Sequence, residues 1–412
     1  MSWTPPKRPT WVERLIEHGE AAGGAENLVS LEADSLLRAA RRATGLVDFG
    51  DGDWRTHFDV LVRSLEEESK LHLVGRTIVR TELVLALSNR LGLADLWKRQ
   101  PEILDEPVEA PVFIVGSPRS GTSILHELMA CDPASRCPAM WEMQRPIDAI
   151  EGRDRGPSVD HLVRFWHDVQ PEYETMHENS GFLPNECIYL TLPEFLSVHW
   201  SGNHVVPSYE KHLQTTDERI AYRYHRRFLQ SLQSAGGSRR WLLKAPSHLF
   251  TLPELFDVYP DARIIRTHRD PLKTLPSAIS LMGTIKWIRC REVDMSAAAT
   301  LVPAGYAYIF QKEIEGRRSG ALPDDRFIDV HFDDVVRDPV GTVEAVYERL
   351  GWEVTAEARQ LVGSYAEAKP KGSRGVHRYS LSEVGLDAST ERERFAFYTQ
   401  HFGVRDEPSA SA

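Results

Sequence analysis

The stretch PVFIVGSPRSGTSILHELM, residues 111–129, decides the fold. Its apolar residues 112–115 show no polar alternation and predict a buried strand. A turn rich in small residues, 116–123, follows, and the next apolar residues recur at helical spacing. In a strand–turn–helix unit of this kind, backbone N–H groups converge in the turn and the helix N-terminus adds its positive dipole end. The stretch therefore predicts a cradle for a phosphate or sulfate group.

The turn supplies six candidate ligands for that anion: Ser117, Arg119, Ser120, Gly121, Thr122 and Ser123. The planar fork of Arg119 suits phosphate or sulfate oxygens better than a Lys ammonium does. The spacing of Gly116 and Gly121 fits a nucleotide-triphosphate loop, but that motif needs Lys at the next position, where Thr122 stands. The missing Lys argues against hydrolysis of ATP or GTP, because that residue reaches the β- and γ-phosphates. A strand–turn–helix that binds nothing is the alternative at this point.

The composition is that of a globular protein with an acidic balance. The chain has 412 residues, 42% hydrophobic and 26% charged, and a net charge of -11. This charge argues against nonspecific binding of nucleic acid, so a polyanion site must be built locally from Arg and Lys. The four Cys residues form no CxxC pair and have no His partners at zinc spacing, which predicts reduced thiols in a cytoplasmic protein. No run approaches the roughly 18 apolar residues of a membrane span, so we expect no transmembrane segment.

We expect a helical N-terminal segment, residues 1–105, and a larger domain, residues 106–405. Apolar residues recur at helical spacing in three stripes of the first segment, and Gly92 is expected to end the third. These stripes predict core packing rather than a ligand site, and we expect the segment to pack on the larger domain or to shape one wall of its pocket. Residues 150–240 are rich in aromatic residues and His, and we expect helices and long loops there that form the acceptor side or a lid.

Polar residues follow two further predicted strands. Lys244 and His248 come just after the apolar residues 241–243, and Arg269 lies at the carboxyl end of the strand predicted within residues 260–271. Asp270 and a following Pro are typical of a helix start, and Ser277 lies about two turns into that helix. Open α/β sheets bind their ligands beyond the carboxyl ends of the strands, so these side chains should lie beside the cradle.

The Pro-Arg-Ser-Gly-Thr loop at residues 118–122 and the later RDPLKTLPS segment at 269–277 together resemble bacterial sulfotransferases that use 3′-phosphoadenosine-5′-phosphosulfate (PAPS). The resemblance covers roughly residues 108–402. It implies an α/β fold, with a P-loop-like parallel sheet flanked by helices. It also implies in-line transfer of a sulfuryl group from PAPS to a hydroxyl of a small-molecule or lipid-like acceptor, without a metal ion. A small-molecule kinase and a catalytically inactive nucleotide-binding module are the alternatives.

The same resemblance implies how the cofactor is held. The six turn residues would bind the 5′-phosphosulfate. Arg269 and Ser277 would bind the 3′-phosphate, and Lys371 and Arg374 belong to a basic loop that resembles the one closing over that phosphate. Arg119 and Lys244 would neutralise charge on the phosphosulfate and on the leaving phosphate, an electrostatic role.

Two residues are candidates for the base that takes the acceptor's proton. Glu142 lies a short distance beyond the cradle among apolar residues, which would raise its pKa and suit it to general base catalysis. Its alternative role is an ion pair with Arg136 or Arg145. His248 is neutral near neutral pH and needs no such shift. We take Glu142 as the base, with His248 orienting the acceptor or sharing the proton. Glu186 is a further carboxylate without an assigned role.

Overall fold

The computed structural model describes residues 3–236, 240–369 and 380–407. They form a parallel sheet of five strands in the order β2-β3-β1-β4-β5. The strands are β1 (Val112–Gly116), β2 (Ser135–Arg136), β3 (Arg240–Lys244), β4 (Arg263–His268) and β5 (Phe327–His331). The predicted α/β class, a P-loop-like parallel sheet flanked by helices, is confirmed.

Strand β1 lies at the centre of the sheet. Val112 is in register with Leu242 of β3 on one side and with Arg263 of β4 on the other. All five residues of β1 are buried, which explains its unbroken apolar run, since helices cover both faces of a parallel sheet. The carboxyl ends of β1, β3 and β4 meet at one edge, at Gly116, Lys244 and His268.

The N-terminal segment consists of helices and shares its core with the sheet. Its helices are α1 (Thr10–Ala21), α2 (Ala33–Thr44), α3 (Trp54–Glu67) and α4 (Leu73–Arg99). Leu93 and Leu96 of α4 belong to the same hydrophobic cluster as Phe113 of β1. The expected stop at Gly92 is wrong, because α4 continues through it. A side chain there would lie 2.6 Å from Ile147, so the glycine serves close helix packing.

The other helices follow β1 and cover the two faces of the sheet and its carboxyl edge. They are α5 (Thr122–Ala130), α6 (Met140–Gln144), α7 (Pro146–Ile150), α8 (Gly156–Val169), α9 (Glu172–Met176), α10 (Val198–Asn203), α11 (Pro207–Thr215), α12 (Arg219–Gly236), α13 (Leu252–Val258), α14 (Pro271–Trp287), α15 (Ala298–Ser319), α16 (Phe332–Arg337), α17 (Pro339–Leu350), α18 (Ala356–Ala368), α19 (Ala388–Arg394) and α20 (Ala396–Phe402). Helices α8 to α12 and long loops fill the region of residues 150–240, as expected.

Candidate active site

The turn between β1 and α5 has a strained backbone. Arg119 has a φ of 70°, a left-handed conformation that a non-glycine residue adopts at a cost of about 1–2 kcal/mol. Gly121 follows with a φ of 97°, and a Cβ added there would lie 2.7 Å from the Phe332 ring. Strain of this kind concentrates at ligand clamps, where the surrounding structure enforces it. The backbone therefore curls at the position where the sequence predicts an anion cradle.

Ser120 holds the shape of this turn. Its backbone N–H and its hydroxyl both donate to the carbonyl of Ser117, at 3.1 and 2.7 Å, and its hydroxyl also lies 2.7 Å from that of Thr267. Both serines are buried. The expectation that Ser120 binds the anion is thus not supported by its contacts. The N–H groups of Thr122 and Ser123 lie in the first turn of α5, where a helix offers them no internal acceptor.

Arg269 reaches the turn, as expected, and already has partners. Its Nη1 donates to the carbonyl of Arg119 at 2.9 Å, and its guanidinium stacks on Phe332 at 3.8 Å from the ring centre. Its Nε and Nη2 donate to the two carboxylate oxygens of Glu407, at 2.6 and 3.0 Å. Arg119 itself donates to the carbonyl of Met176 at 2.9 Å. The two arginines predicted for the two phosphates are therefore neighbours.

Helix α14 begins where the sequence predicts, because Asp270 caps it by accepting from the N–H of Leu272 at 2.9 Å. The other residues predicted for the 3′-phosphate are Ser277, Lys371 and Arg374. Ser277 lies two turns along this helix and is buried. Lys371 and Arg374 lie outside the described residues.

Lys244 connects the turn to the neighbouring cavity. It is the last residue of β3, and its side chain is only 3% exposed. Its Nζ donates to the hydroxyl of Ser123 at 3.3 Å and to Oε1 of Glu186 at 2.9 Å. The carboxyl end of β3 thus brings one cation between the predicted anion cradle and a carboxylate.

A cavity of about 1040 Å³ opens beside the turn. Arg119, Thr122 and Ser123 form part of its wall, and residues from the 150–240 region form much of the rest. The wall mixes apolar and aromatic side chains with polar and titratable ones, among them Glu186 and His248. This is the composition of a site for a partly apolar small molecule.

His248 lies in the cavity wall, as its predicted role requires. Its Nδ1 lies 2.7 Å from the hydroxyl of Tyr222, which in turn lies 2.8 Å from the hydroxyl of Thr251. Burial lowers the pKa of His248 to about 3, so the ring is neutral at physiological pH. Its Nε2 has no hydrogen-bond partner among the described residues.

Glu142 lies outside the group of residues that line the cavity. Both of its carboxylate oxygens accept from Arg136, at 2.6 and 2.9 Å, and one also accepts from the N–H of Ala139 at 2.8 Å. The ion pair of Glu142 with Arg136, which the sequence analysis gave as the alternative to a catalytic role, is therefore the contact that forms. This carboxylate is not free to act as a base, because Arg136 neutralises its charge.

Glu186, to which the sequence assigned no role, is the carboxylate of the cavity wall that contacts Lys244. Burial raises its pKa, but the ammonium of Lys244 lowers it, and the net pKa lies below the ordinary value. Its contact with Lys244 joins positions 58 apart in the chain. The spacing of the motifs contains no signal for such a contact.

Two further properties of the described residues concern membranes and metal ions. Within residues 3–236, 240–369 and 380–407, no helix is both long and apolar enough to cross a membrane. In the same ranges, no group of three or more His, Cys, Asp or Glu side chains is placed to hold a metal ion.

Comparison with known proteins agrees with the geometry. Residues 111–356 match the sulfotransferase family. The omega-hydroxy-beta-dihydromenaquinone-9 sulfotransferases Stf3 of Mycobacterium bovis and Mycobacterium tuberculosis are each 27% identical to this chain over 250 residues, or 59% of it. The match spans 63% of the length of those relatives.

Two solved structures are similar over most of their length. Sulfotransferase STF9 from Mycobacterium avium has a TM-score of 0.81 and 26% identity, over 92% of this chain and 98% of that one. Sulfotransferase STF1 from Mycobacterium tuberculosis has a TM-score of 0.74 and 30% identity, over 89% and 98% of the two chains. The family match covers more than half of the sequence, and this chain therefore belongs to the sulfotransferase family.

Proposed function

We propose that the protein transfers a sulfuryl group from PAPS to a hydroxyl of a small-molecule or lipid-like acceptor. The observation that carries this proposal is the position of Lys244. Its ammonium contacts Ser123 of the anion cradle and Glu186 of the cavity wall, so a donor in the cradle and an acceptor in the cavity would meet at this cation.

The residues present fit the cofactor. The first turn of α5 and Arg119 offer donors for a phosphosulfate, and Lys244 offers a buried cation. The guanidinium of Arg269 contacts the same turn, because it donates to the carbonyl of Arg119 while it stacks on Phe332. We assign Arg269, together with Ser277, Lys371 and Arg374, to the 3′-phosphate. When bound, PAPS would supply the activated sulfuryl group. The chain's residues would bind, orient and neutralise charge.

Each residue at the junction has a separate role in the proposed transfer. Arg119 stabilises negative charge on the sulfuryl oxygens, and Lys244 stabilises the charge that develops on the leaving phosphate. The neutral ring of His248 orients the acceptor hydroxyl, while Tyr222 fixes the orientation of that ring. The surrounding side chains exclude water, which strengthens each of these electrostatic contacts.

The cavity supports a bulky, partly apolar acceptor. Its volume of about 1040 Å³ is at the upper end of small-molecule sites. The curated relatives act, by name, on omega-hydroxy-beta-dihydromenaquinone-9, and a hydroxyl compound of comparable apolar character would suit the wall of this cavity.

Nucleotide binding tests the proposal without knowledge of the acceptor. In isothermal calorimetry, 3′,5′-ADP should bind at least about tenfold more tightly than 5′-AMP, because a charge-assisted contact to the extra phosphate contributes roughly 1.5–3 kcal/mol. Arg269→Met should remove most of this preference. A preference for ATP with Mg²⁺ over 3′,5′-ADP would instead favour a kinase and refute the proposed function.

A further inference from the structure

We propose that Glu186 is the general base of the transfer reaction and that cofactor binding activates it by drawing Lys244 away. This inference rests on the proposed function, because it assigns a role within the same site. It replaces Glu142, whose carboxylate is held by Arg136 outside the cavity wall.

The position of Glu186 meets the geometric requirement for a base. Its residue lines the cavity, and its side chain keeps 17% of its surface exposed. Oε1 accepts from Lys244 at 2.9 Å, and the structure records no hydrogen bond within the described residues at Oε2. An acceptor hydroxyl in the cavity can therefore approach this carboxylate. His248 is less suitable as the base, because burial lowers its pKa to about 3 and makes the ring a weak base.

Lys244 is shared between the carboxylate and the anion cradle. Its Nζ lies 3.3 Å from Ser123 Oγ, so the same ammonium is within reach of an anion bound at the N-terminus of α5. A phosphosulfate there carries more negative charge than one carboxylate and would attract the ammonium more strongly. Binding of the cofactor should therefore weaken the ion pair of Lys244 with Glu186.

The other groups around Glu186 would not replace this lost cation. Burial lowers the pKa of His177 to about 4 and those of His126 and His248 to about 3, so these rings are neutral. Burial also keeps the nearby phenols of Tyr173, Tyr189 and Tyr306 neutral by raising their pKa. Arg119 remains, but it faces the phosphosulfate in the proposed complex. With Lys244 drawn away, burial would dominate and raise the pKa of Glu186 toward the range that suits a base.

The proposed step is balanced within the complex. The acceptor oxygen forms a bond to sulfur as its proton passes to the Glu186 carboxylate. The bond between sulfur and the bridging oxygen breaks, and its electron pair stays on the 5′-phosphate of 3′,5′-ADP, where Lys244 neutralises it. When 3′,5′-ADP leaves, Lys244 returns to Glu186, and the carboxyl group gives its proton to solvent.

Turnover separates Glu186 from the other two candidates. With PAPS and 2-naphthol, Glu186→Gln should lower kcat by about 10²–10⁴ and leave the KM for PAPS within a few-fold. Glu186→Asp should recover part of the rate, and the matched control Glu142→Gln should stay near wild type. Loss of the acidic limb of the pH profile in Glu186→Gln is expected. If Glu186→Gln stays near wild type, or if Glu142→Gln loses as much, the assignment is wrong.

A proton-uptake measurement tests the activation step without an acceptor. We would titrate 3′,5′-ADP into wild type and Glu186→Gln at pH 6.5, in buffers of different ionisation enthalpy. Wild type should take up more protons than the variant, because the pKa of Glu186 rises in the complex. Equal uptake with intact 3′,5′-ADP binding would overturn the inference alone. Failure of both proteins to bind 3′,5′-ADP would instead refute the proposed function.

Discussion

Arg269 lies beside the predicted anion cradle, and its guanidinium is already paired with a carboxylate. Its guanidinium gives two hydrogen bonds to Glu407, and the N–H of Glu407 is in turn held by Asp270 at 3.1 Å. Both side chains of the ion pair are about one-fifth exposed, at 21% and 18%. In the proposed complex, a 3′-phosphate would have to displace this carboxylate before Arg269 could bind it through both Nε and Nη2.

We predict that Glu407→Gln strengthens the binding of 3′,5′-ADP. Removing the competing charge should tighten binding about fivefold, equivalent to about 1 kcal/mol for a partly exposed pair. The affinity for 5′-AMP should not change, since it lacks the 3′-phosphate. Calorimetry with both nucleotides measures this, with the exposed Glu393→Gln as control. Weaker binding in Glu407→Gln would show that Glu407 positions Arg269 rather than competing for it.

Arg119 should affect rate more than nucleotide binding. Its proposed contacts are with sulfuryl and bridging oxygens that 3′,5′-ADP lacks, so Arg119→Ala should remove transition-state stabilisation. We expect a loss of kcat with PAPS and 2-naphthol well beyond the change in Kd for 3′,5′-ADP. Equal losses in the two measurements would make Arg119 a binding residue only.

At the residue scale, the sequence predicted the positions of residues that lie at strand ends and at helix starts. Lys244 ends β3, His248 lies four residues beyond it, and Arg269 and Asp270 directly follow β4, so all four lie at strand ends, where the local pattern placed them. Glu186 could not be found in this way, since its role depends on a contact with a strand 58 residues later.

At the scale of elements, a buried ion pair ties the N-terminal helix α4 to α14. Glu82 of α4 accepts from Arg289, which follows α14, at 2.6 Å, and both side chains are under 10% exposed. Burial alone would raise the pKa of Glu82, but Arg289 lowers it, to about 2. A depressed carboxyl pKa means that this ion pair stabilises the fold above the unfolded-state pKa, and that the stabilisation is lost as pH falls toward 2.

We therefore predict a pH-dependent cost for Glu82→Gln. At pH 7 the variant should lose about 3 kcal/mol of unfolding free energy, because Arg289 is left buried without its partner. The difference from wild type should shrink as pH falls from 5 to 3. Urea unfolding at several pH values measures this, with the exposed Glu67→Gln as control. A difference that is independent of pH would contradict the role of Glu82 as an ionised partner.

The elements themselves were predictable where one local rule decides them. The unbroken apolar run gave β1, and the Asp-Pro pair gave the start of α14. The prediction that Gly92 ends the helix was wrong, because a glycine in a helical pattern can either end the helix or allow close packing within it. The structure shows the packing reason, since Ile147 of the neighbouring α7 occupies the space of its missing side chain.

At the scale of the whole molecule, the N-terminal segment and the sheet form one packing unit. Leu93 and Leu96 share a cluster with Phe113, and a second cluster joins α2, α3 and α4 to residues of α10 and α11. The sequence predicted that the segment packs on the larger domain. It could not show how extensive this packing is, because the spacing of apolar residues shows which face of a helix is buried but not which element covers that face.

A fragment that begins at residue 106 should accordingly fail to fold. It would expose the face of the core that α4 covers and leave Arg289 without Glu82. Thermal unfolding followed by circular dichroism should show no cooperative transition for the fragment, beside a clear one for the full chain. A cooperative transition close to that of the full chain would show that residues 1–105 are dispensable for the fold.

The central claim, transfer of a sulfuryl group across the Lys244 junction, is tested most directly by product formation. The full chain would be incubated with PAPS and a panel of phenols and long-chain alcohols, and 3′,5′-ADP and sulfated products would be quantified by mass spectrometry. We predict that wild type forms both in equal amounts and that Lys244→Met lowers the rate by at least about 10². Absence of sulfated product with wild type, or its formation by Lys244→Met at the wild-type rate, would contradict sulfuryl transfer across this junction.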